Sequence, residues 1–553
     1  MTYKPQQQMK NNKLTATTRH TGGRYGWLRR SMLFWAFALF NLLPSSAQMR
    51  INFGDDSPLR KLQMAELAVT NLYVDSVDEQ KLVEDAIRGM LEKLDPHSSY
   101  MTPKEVKQAD EPLLGNFEGI GVQFNMVDDT LLVIQPVSGG PSERAGILAG
   151  DRIVSVNDTS IAGVKMSREE IMRRLRGPKG SKVNLGIVRR DIADTLHFLI
   201  TRDKIPVHSI DAAYMVRPKV GYIRIGSFGL TTHDEFCESL KALRKQGMES
   251  LVLDLQENGG GFLQAAVQIA DEFLEKNDLI VYTKGRNAQG SEYRAKGDGM
   301  FRKGKVIVLV DSYTASAAEI VSGAIQDQDR GLIVGRRTFG KGLVQRPVNL
   351  PDGSLIRLTI AHYYTPAGRC IQKPYVKGKG RDYALDVVNR LKSGELMSAD
   401  SVHFADSLKC YTLKEHRVVY GGGGIMPDEF VALDTLKYTR YHRRLAAKAI
   451  VINANLHYVD EHRQQLRQQY PTFDGFNIRY EVPQELIDRI VKEGEKQDIR
   501  PKDADEQQRT LPYLRTQLKA LIARDLYGMN EYYAVINSEN DMLARALELL
   551  NQK

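Results

Sequence analysis

Residues 306–320 read VIVLVDSYTASAAEI. Five apolar residues in a row, without polar alternation, read as a strand covered on both faces. The small residues after it lead into a helical pattern. A strand running at once into a helix is the unit of a mostly parallel α/β sheet, where reactive groups sit at strand ends. Ser316 occupies such a junction. Its hydroxyl becomes a nucleophile only if a base takes its proton and N–H donors receive the oxyanion.

Working outward, residues 207–365 repeat the alternation: GYIRIGSF, ESLVLDL, a glycine turn, AAVQIADEFLE, KVIVLVD, IVSGAI, LIVGR, then the hairpin-like LVQRPVNLPDGSLIRLTIAHYYT. Upstream, residues 59–108 have helical spacing up to the breaker at Asp95 and Pro96. His97, beside that turn, reads as a hydrogen-bonded structural residue. Residues 115–190 carry short strand runs and two helix-sized pieces. In FEGIGVQF, Gly119 and Gly121 flank Ile120 just before a strand that begins at Val122. Such a loop can aim consecutive N–H groups at an anion and leave a strand edge open, so a peptide ending in a free carboxylate could dock there. After Arg369 come some fifty polar residues, then YGGGGIMPD, then charged helical segments from about 440.

The expected organisation is a signal segment at 1–47, a helical N-terminal region at 48–110, a small β domain at 115–192, a catalytic core at 201–435 interrupted by a polar insertion at about 374–419, and a helical C-terminal region at 440–553. The first segment holds seven Lys and Arg, no acid, the apolar run MLFWAFALFNLL and the small residues Ser45 and Ala47. That pattern points to export, to a periplasm or cell envelope. An uncleaved segment would leave the chain on the inner membrane. Removing it takes the formal net charge from +9 to about +2, so the basic balance reports targeting and gives no reason to expect nucleic acid. Three cysteines, Cys237, Cys370 and Cys410, form neither a disulfide framework nor a metal-binding pattern, and whether Cys370 pairs with Cys410 stays open. No metal or cofactor is called for.

Two residues compete as the base for Ser316. His362 in TIAHYY lies on a strand, where a histidine more often packs or hydrogen-bonds. Lys341 in TFGKGLVQ stands between Gly340 and Gly342, which let the backbone approach another segment closely. A lysine serves only if burial brings its pKa down from about 10.4. Phe339, Leu343 and Val344 offer apolar surroundings, and Gln345 offers an amide to hold the amine. For the oxyanion, DLQENGGGFLQAA supplies Gly260 and Gly261 at a strand-to-helix turn, and Ala317 follows the serine. No Gly-Lys-Ser/Thr follows the glycines, so they are not a P-loop.

Taken together, LVLDLQENGGGFL, VDSYTASAAEI, VGRRTFGKGLVQ and YYTPAGR resemble the carboxyl-terminal processing peptidases, a serine peptidase family. GIGVQF followed by SERAGILAGDRIVSVNDTSI resembles PDZ domains. The resemblance spans about residues 59–428 and implies a ClpP/crotonase-like α/β core with an inserted PDZ-like β domain and helical ends. It implies Ser316 as nucleophile, Lys341 as base, Gln345 as the lysine's support, Gly260 or Gly261 with Ala317 as the oxyanion hole, and peptide binding at Gly119, Ile120, Gly121 and Val122. Departures are Gly259 where proline is usual, Ala318 where a second serine is common, Cys370 for a frequent serine, and the polar insertion in what is usually a short connection.

The expected function is an exported serine endopeptidase acting on proteins with accessible C-termini, through an acyl-enzyme and without a cofactor. Oligomers through the helical ends are left open. Two alternatives are a catalytically silent peptide-binding scaffold, which would not need Ser316, Lys341 and the glycine turn together, and a crotonase-like acyl-thioester enzyme, which would need neither Ser316 nor Lys341.

Overall fold

In a computed structural model of the chain, residues 57–190 and 192–552 are described. The chain divides into two units, residues 1–83 and 84–553. In the first, Pro58 starts the helix Pro58–Leu72, and the Ser57 side chain accepts the Arg60 N–H at 3.2 Å. The expected signal segment lies outside the described residues.

The second unit is built on a six-stranded sheet in the order Ile210–Arg217, Val220–Ile225, Ser250–Asp254, Val306–Val310, Leu332–Gly335, Glu429–Phe430. The first pair is antiparallel and the others parallel. Every residue of Val306–Val310 is buried, as an unalternating apolar run requires. Its two faces meet different partners. Val306, Val308 and Val310 join Phe236, Ile269, Val321 and Ile325 from the helices Thr232–Lys245, Leu263–Asp271 and Ala317–Asp327. Ile307 and Leu309 join Met542, Leu543 and Ala546 of the last helix, Asp541–Asn551.

A second sheet holds the hairpin read from the sequence, Leu343–Asn349 with Leu355–Tyr364, extended by Leu279–Lys284 and Glu292–Arg294. Its other edge is Ser99–Met101. The 48–110 region was expected to be helical, but these three residues fit as a strand because Leu355–Tyr364 offers them a free edge.

The small β domain has the order Val122–Val127, Thr130–Pro136, Arg152–Val156, Lys182–Val188, Leu196–Thr201. The boundary expected at 192 is too early, because the last strand pairs with Lys182–Val188 along its length. Asn116–Gly119 pairs with Asp203–Pro206, so the chain enters and leaves this domain as a two-stranded ribbon. The domain leans on the C-terminal helices: Val127, Leu132 and Ile134 pack on Leu456, and Arg152 meets Asp460 at 2.6 Å.

The polar stretch at 374–419 is folded, into the helices Gly380–Ala384 and Asp386–Lys392 and half of a small hairpin, Lys409–Tyr411 with Val418–Tyr420. Residues 440–553 were expected as one helical region and divide instead. Helices from Arg440 to Ile536 enclose their own core around Tyr458, Phe476, Leu486 and Leu518, whereas Asp541–Asn551 completes the core sheet.

Because Leu543 is 2% exposed and seals that second face, Leu543→Ala is expected to cost about 2–5 kcal/mol. Urea unfolding followed by tryptophan-independent circular dichroism checks this.

Candidate active site

Ser316 stands between the strand Val306–Val310 and the helix Ala317–Asp327, at φ +58 and ψ −114. A non-glycine residue holds such a backbone only when its surroundings over-determine it, and the sharp strand-to-helix turn presents its side chain. What holds it is a residue missed in the sequence. Glu319, three residues on and fully buried, accepts the Ser316 N–H at 2.8 Å. The same Oε2 accepts the Lys341 N–H at 2.8 Å, while Oε1 accepts the Gly340 N–H at 2.7 Å and the Thr338 hydroxyl at 2.6 Å. Burial raises the Glu319 carboxyl above the usual glutamate value, and the four hydrogen bonds oppose that. Thr338 Oγ1 also accepts the Ile425 N–H, which leaves its own proton for Glu319. All four partners are thus donors, and the form that fits is the ionised, acceptor-only carboxylate.

One carboxylate therefore joins the serine and lysine segments. Burial, followed by the nearby Arg357 guanidinium, lowers the Lys341 pKa below its ordinary value, against the opposing charges of Glu319 and Asp95. Among the described residues no hydrogen bond joins Ser316 Oγ to Lys341 Nζ, or Gln345 to Lys341. The Gln345 amide donates instead to the His97 carbonyl at 2.6 Å. Catalytic hydrogen bonds are commonly long without substrate and tighten when it binds.

The glycine turn lies directly against the serine. A Cβ on Gly260 would sit 2.8 Å from Ser316 Cβ and 2.9 Å from the Ala317 nitrogen, at a φ of +99. One on Gly261 would fall 2.1 Å from the Phe228 carbonyl oxygen. The three expected oxyanion donors are not equivalent. The Gly260 N–H is already given to Asn258 Oδ1 at 2.8 Å, whereas among the described residues those of Gly261 and Ala317 meet no acceptor.

On the strand Leu355–Tyr364, Tyr363 reaches the carbonyl oxygens of Ser316, at 3.1 Å, and Lys341. Alternation turns the adjacent His362 to the opposite face, where its Nδ1 is 3.8 Å from Cys370 Sγ. His362 is therefore not the partner of Ser316. His97 does sit beside the lysine turn, with Nε2 2.8 Å from the Tyr383 hydroxyl. Burial and the charge of Lys341 bring its pKa down to about 4, so it is neutral at ordinary pH. Asp95 supports it, accepting the N–H groups of His97 and Ser98 at 2.9 Å each. Arg369 of YYTPAGR is a structural anchor: it pairs with Asp327 at the end of the serine's helix, both side chains wholly buried.

In the small β domain, Gly119, Ile120, Gly121 and Val122 line a groove of about 320 Å³ with Phe124, Met172 and Leu175. The groove runs beside Val122–Val127, the open edge of its sheet. Gly121 has φ +74, and a Cβ there would come 2.9 Å from Ile205 Cδ1.

All three cysteines are free. Cys237 lies 3.5 Å from both His233 Nε2 and Glu272 Oε1, which are 2.8 Å from each other. This trio is the group of described residues whose ligand atoms could hold a metal ion. The hydrogen bond that His233 donates to the Glu272 carboxylate raises the His233 pKa.

A buried strand ending in a half-buried serine elbow, a glycine turn against it and a lysine turn tied to the serine through Glu319 define a serine-hydrolase class of site. Comparison with known proteins narrows this. The profile of Peptidase family S41 matches residues 219–379, that of a PDZ domain 119–198, that of the activating protease CtpB N-terminal domain 42–105, and that of a family of unknown function 441–528. The chain is 36% identical over 349 residues to carboxy-terminal processing protease CtpA of Bacillus subtilis, covering 62% of this chain and 74% of that protein. It is 36% identical over 336 residues to CtpB of the same organism, covering 59% and 69%. Over 309 residues it is 37% identical to a carboxy-terminal-processing protease of Bartonella bacilliformis, covering 55% and 70%. The chain thus belongs to the carboxy-terminal processing proteases of peptidase family S41, and it is a serine-type peptidase with a PDZ domain.

Since any side chain at 260 must displace the serine or the nitrogen after it, Gly260→Ala is expected to lower kcat about a hundredfold or more. Peptidase assays beside circular dichroism on the purified variant check this; an active, folded variant would show that the turn does not press on Ser316.

Proposed function

We propose that this chain is an exported endopeptidase that binds the C-terminal tail of a protein in its PDZ groove and cuts peptide bonds with Ser316, Lys341 acting as base. The observation that carries this reading is the Glu319 carboxylate that ties the Ser316 and Lys341 backbones together beside a buried amine.

In the first step the neutral Lys341 amine takes the Ser316 hydroxyl proton as Oγ attacks the scissile carbonyl carbon. Negative charge gathers on the carbonyl oxygen, toward the Ala317 and Gly261 N–H groups. The tetrahedral species collapses, the C–N bond breaks, and the ammonium of Lys341 gives its proton to the leaving amine. Water then attacks the serine ester with Lys341 again taking the proton, which frees the carboxylate product and restores Ser316. Gln345, whose amide donates to the His97 carbonyl, is the neutral group that would support the amine once substrate is bound, adding no negative charge to raise the lysine pKa.

Tail capture rests on the open edge of Val122–Val127 and the glycine loop before it, which together suit strand addition and receipt of a carboxylate. Export to a periplasm or envelope rests on the basic and apolar pattern of residues 1–47. Among the described residues no helix is long and apolar enough to cross a membrane.

The test is cleavage of an unfolded protein carrying a short apolar tail by the parent chain, Ser316→Ala and Lys341→Ala, across pH. Both variants are expected to lose a thousandfold or more, on the order seen when a nucleophile or its base is removed. For the parent, deprotonation activates the lysine, so the rate should rise with pH through one group titrating below the ordinary lysine range. Retained activity in Lys341→Ala would place the base elsewhere. Tail binding without cleavage by the parent would make the chain a peptide-binding scaffold.

A further inference from the structure

The turn carrying Lys341 has two sides, and Glu319 holds only one. Its donors, from Thr338, Gly340 and Lys341, go to that carboxylate. Its acceptors ahead of the lysine, the carbonyls of residues 337–339, go to the insertion. Arg390, almost completely buried, donates to three successive carbonyls, those of Arg337 at 3.2 Å, Thr338 at 2.8 Å and Phe339 at 3.2 Å. Glu395 grips the Arg337 side chain with two bonds of 2.6 and 2.7 Å. The backbone just before the lysine is thereby fixed from both faces.

The far end of the turn is held by Tyr383, also from the insertion. Its hydroxyl is 3.2 Å from Gln372 Nε2, and Gln372 Oε1 accepts the Gly342 N–H at 2.9 Å. The same hydroxyl is 2.8 Å from His97 Nε2. Its ring meets that of His97 edge-on at 5.1 Å, and the His97 carbonyl takes the Gln345 amide at 2.6 Å. Lys373 closes the layer, its ammonium 3.7 Å from the Phe339 ring centre, 4.0 Å from that of Tyr383 and 3.1 Å from Asp386. A loop that merely framed the cleft would not place a buried guanidinium on the main chain beside the base.

We propose that the insertion at 374–419 is a positioning element of the active site, with Arg390 fixing the lysine turn and Tyr383 fixing Gln345 through His97. The inference rests on the Ser316 and Lys341 reading above. Neither residue touches substrate; both act through Lys341. The charges facing the Lys341 amine are Glu319 from the serine's helix, Asp95 from the segment before Ser99–Met101 and Arg357 from the strand Leu355–Tyr364, with the neutral His97 ring nearby. None of them is removed in Tyr383→Phe, so a change in the pH profile of that variant reports a displaced amine.

The experiment uses the full chain and compares parent, Tyr383→Phe and Arg390→Lys for kcat, KM and the pH dependence of kcat, with thermal melting alongside. Tyr383→Phe loses one hydroxyl and keeps the ring. It is expected to lower kcat about five- to thirtyfold with KM within twofold. The acid limb of the profile should move to higher pH, because a loosened turn admits water to the amine and its pKa returns toward the ordinary lysine value. Arg390→Lys presents one nitrogen where a planar fork spans three carbonyls, so the loss should be larger in the same sense. Unchanged kcat and an unchanged acid limb in both variants would overturn the proposal. So would a rise in KM alone, which would make the insertion a substrate-binding rim. Lys341→Ala measured in parallel separates the two readings: if it keeps activity, the Ser/Lys assignment fails; if it is dead while Tyr383→Phe and Arg390→Lys match the parent, only the positioning role fails.

Discussion

One buried carboxylate constrains the whole centre. Glu319 receives hydrogen bonds from both the serine elbow and the lysine turn, two segments more than twenty residues apart in the chain. A carboxylate taken out of water is tolerable only when its oxygens are fully met, and here four donors meet them. The requirement is mutual. With the carboxylate gone, three main-chain N–H groups would be left buried without acceptors, each costing about 1–3 kcal/mol. Neither the unusual backbone angles of Ser316 nor the lysine turn is separable from it.

The rest of the core serves that junction. The central strand Val306–Val310 has helices on one face and Asp541–Asn551 on the other, which fixes where its end, and so the elbow, must lie. Gly260 can stand against Ser316 only because it has no Cβ, and Asn258 takes its N–H to hold the turn open. At the other end of the serine's helix, Arg369 and Asp327 form a wholly buried pair that ties the helix to the loop after Leu355–Tyr364. The insertion presses on the lysine turn from the side opposite Glu319.

Local signals in the sequence carried much of this. An unbroken apolar run gave the central strand, glycines on both sides of Lys341 marked a tight turn, and short strand-like runs gave the hairpin and the small β domain. What local pattern cannot carry is who meets whom across the fold. Glu319 looked like an ordinary acid in a first helical turn; the spacing of Ser316 and Glu319 is that of a capping box and could have singled it out. Nothing near His97 or Tyr363 signals that each faces the lysine turn, because their partners come from remote strands. Gly260 and Gly261 look alike on paper, and only the Asn258 contact separates the engaged N–H from the free one. The insertion read as polar because its buried groups are polar residues satisfied inside the fold, Arg390 by main-chain carbonyls, Glu395 by the Arg337 side chain and Tyr383 by His97 and Gln372. The last helix has the same amphipathic spacing as its neighbours, so spacing could not reveal that it belongs to the sheet.

The account turns on Glu319 as an ionised acceptor, and Glu319→Gln addresses that with almost no change of shape. The amide would turn two of the four hydrogen bonds into donor facing donor, since each oxygen now accepts two. The rate at which a fluorophosphonate labels Ser316 in the folded variant, against that in the parent, is the measurement to make. A fall of about a hundredfold or more, with the circular dichroism of the parent, is the expected result. An unchanged labelling rate would mean that the carboxylate does not hold the serine and lysine in place.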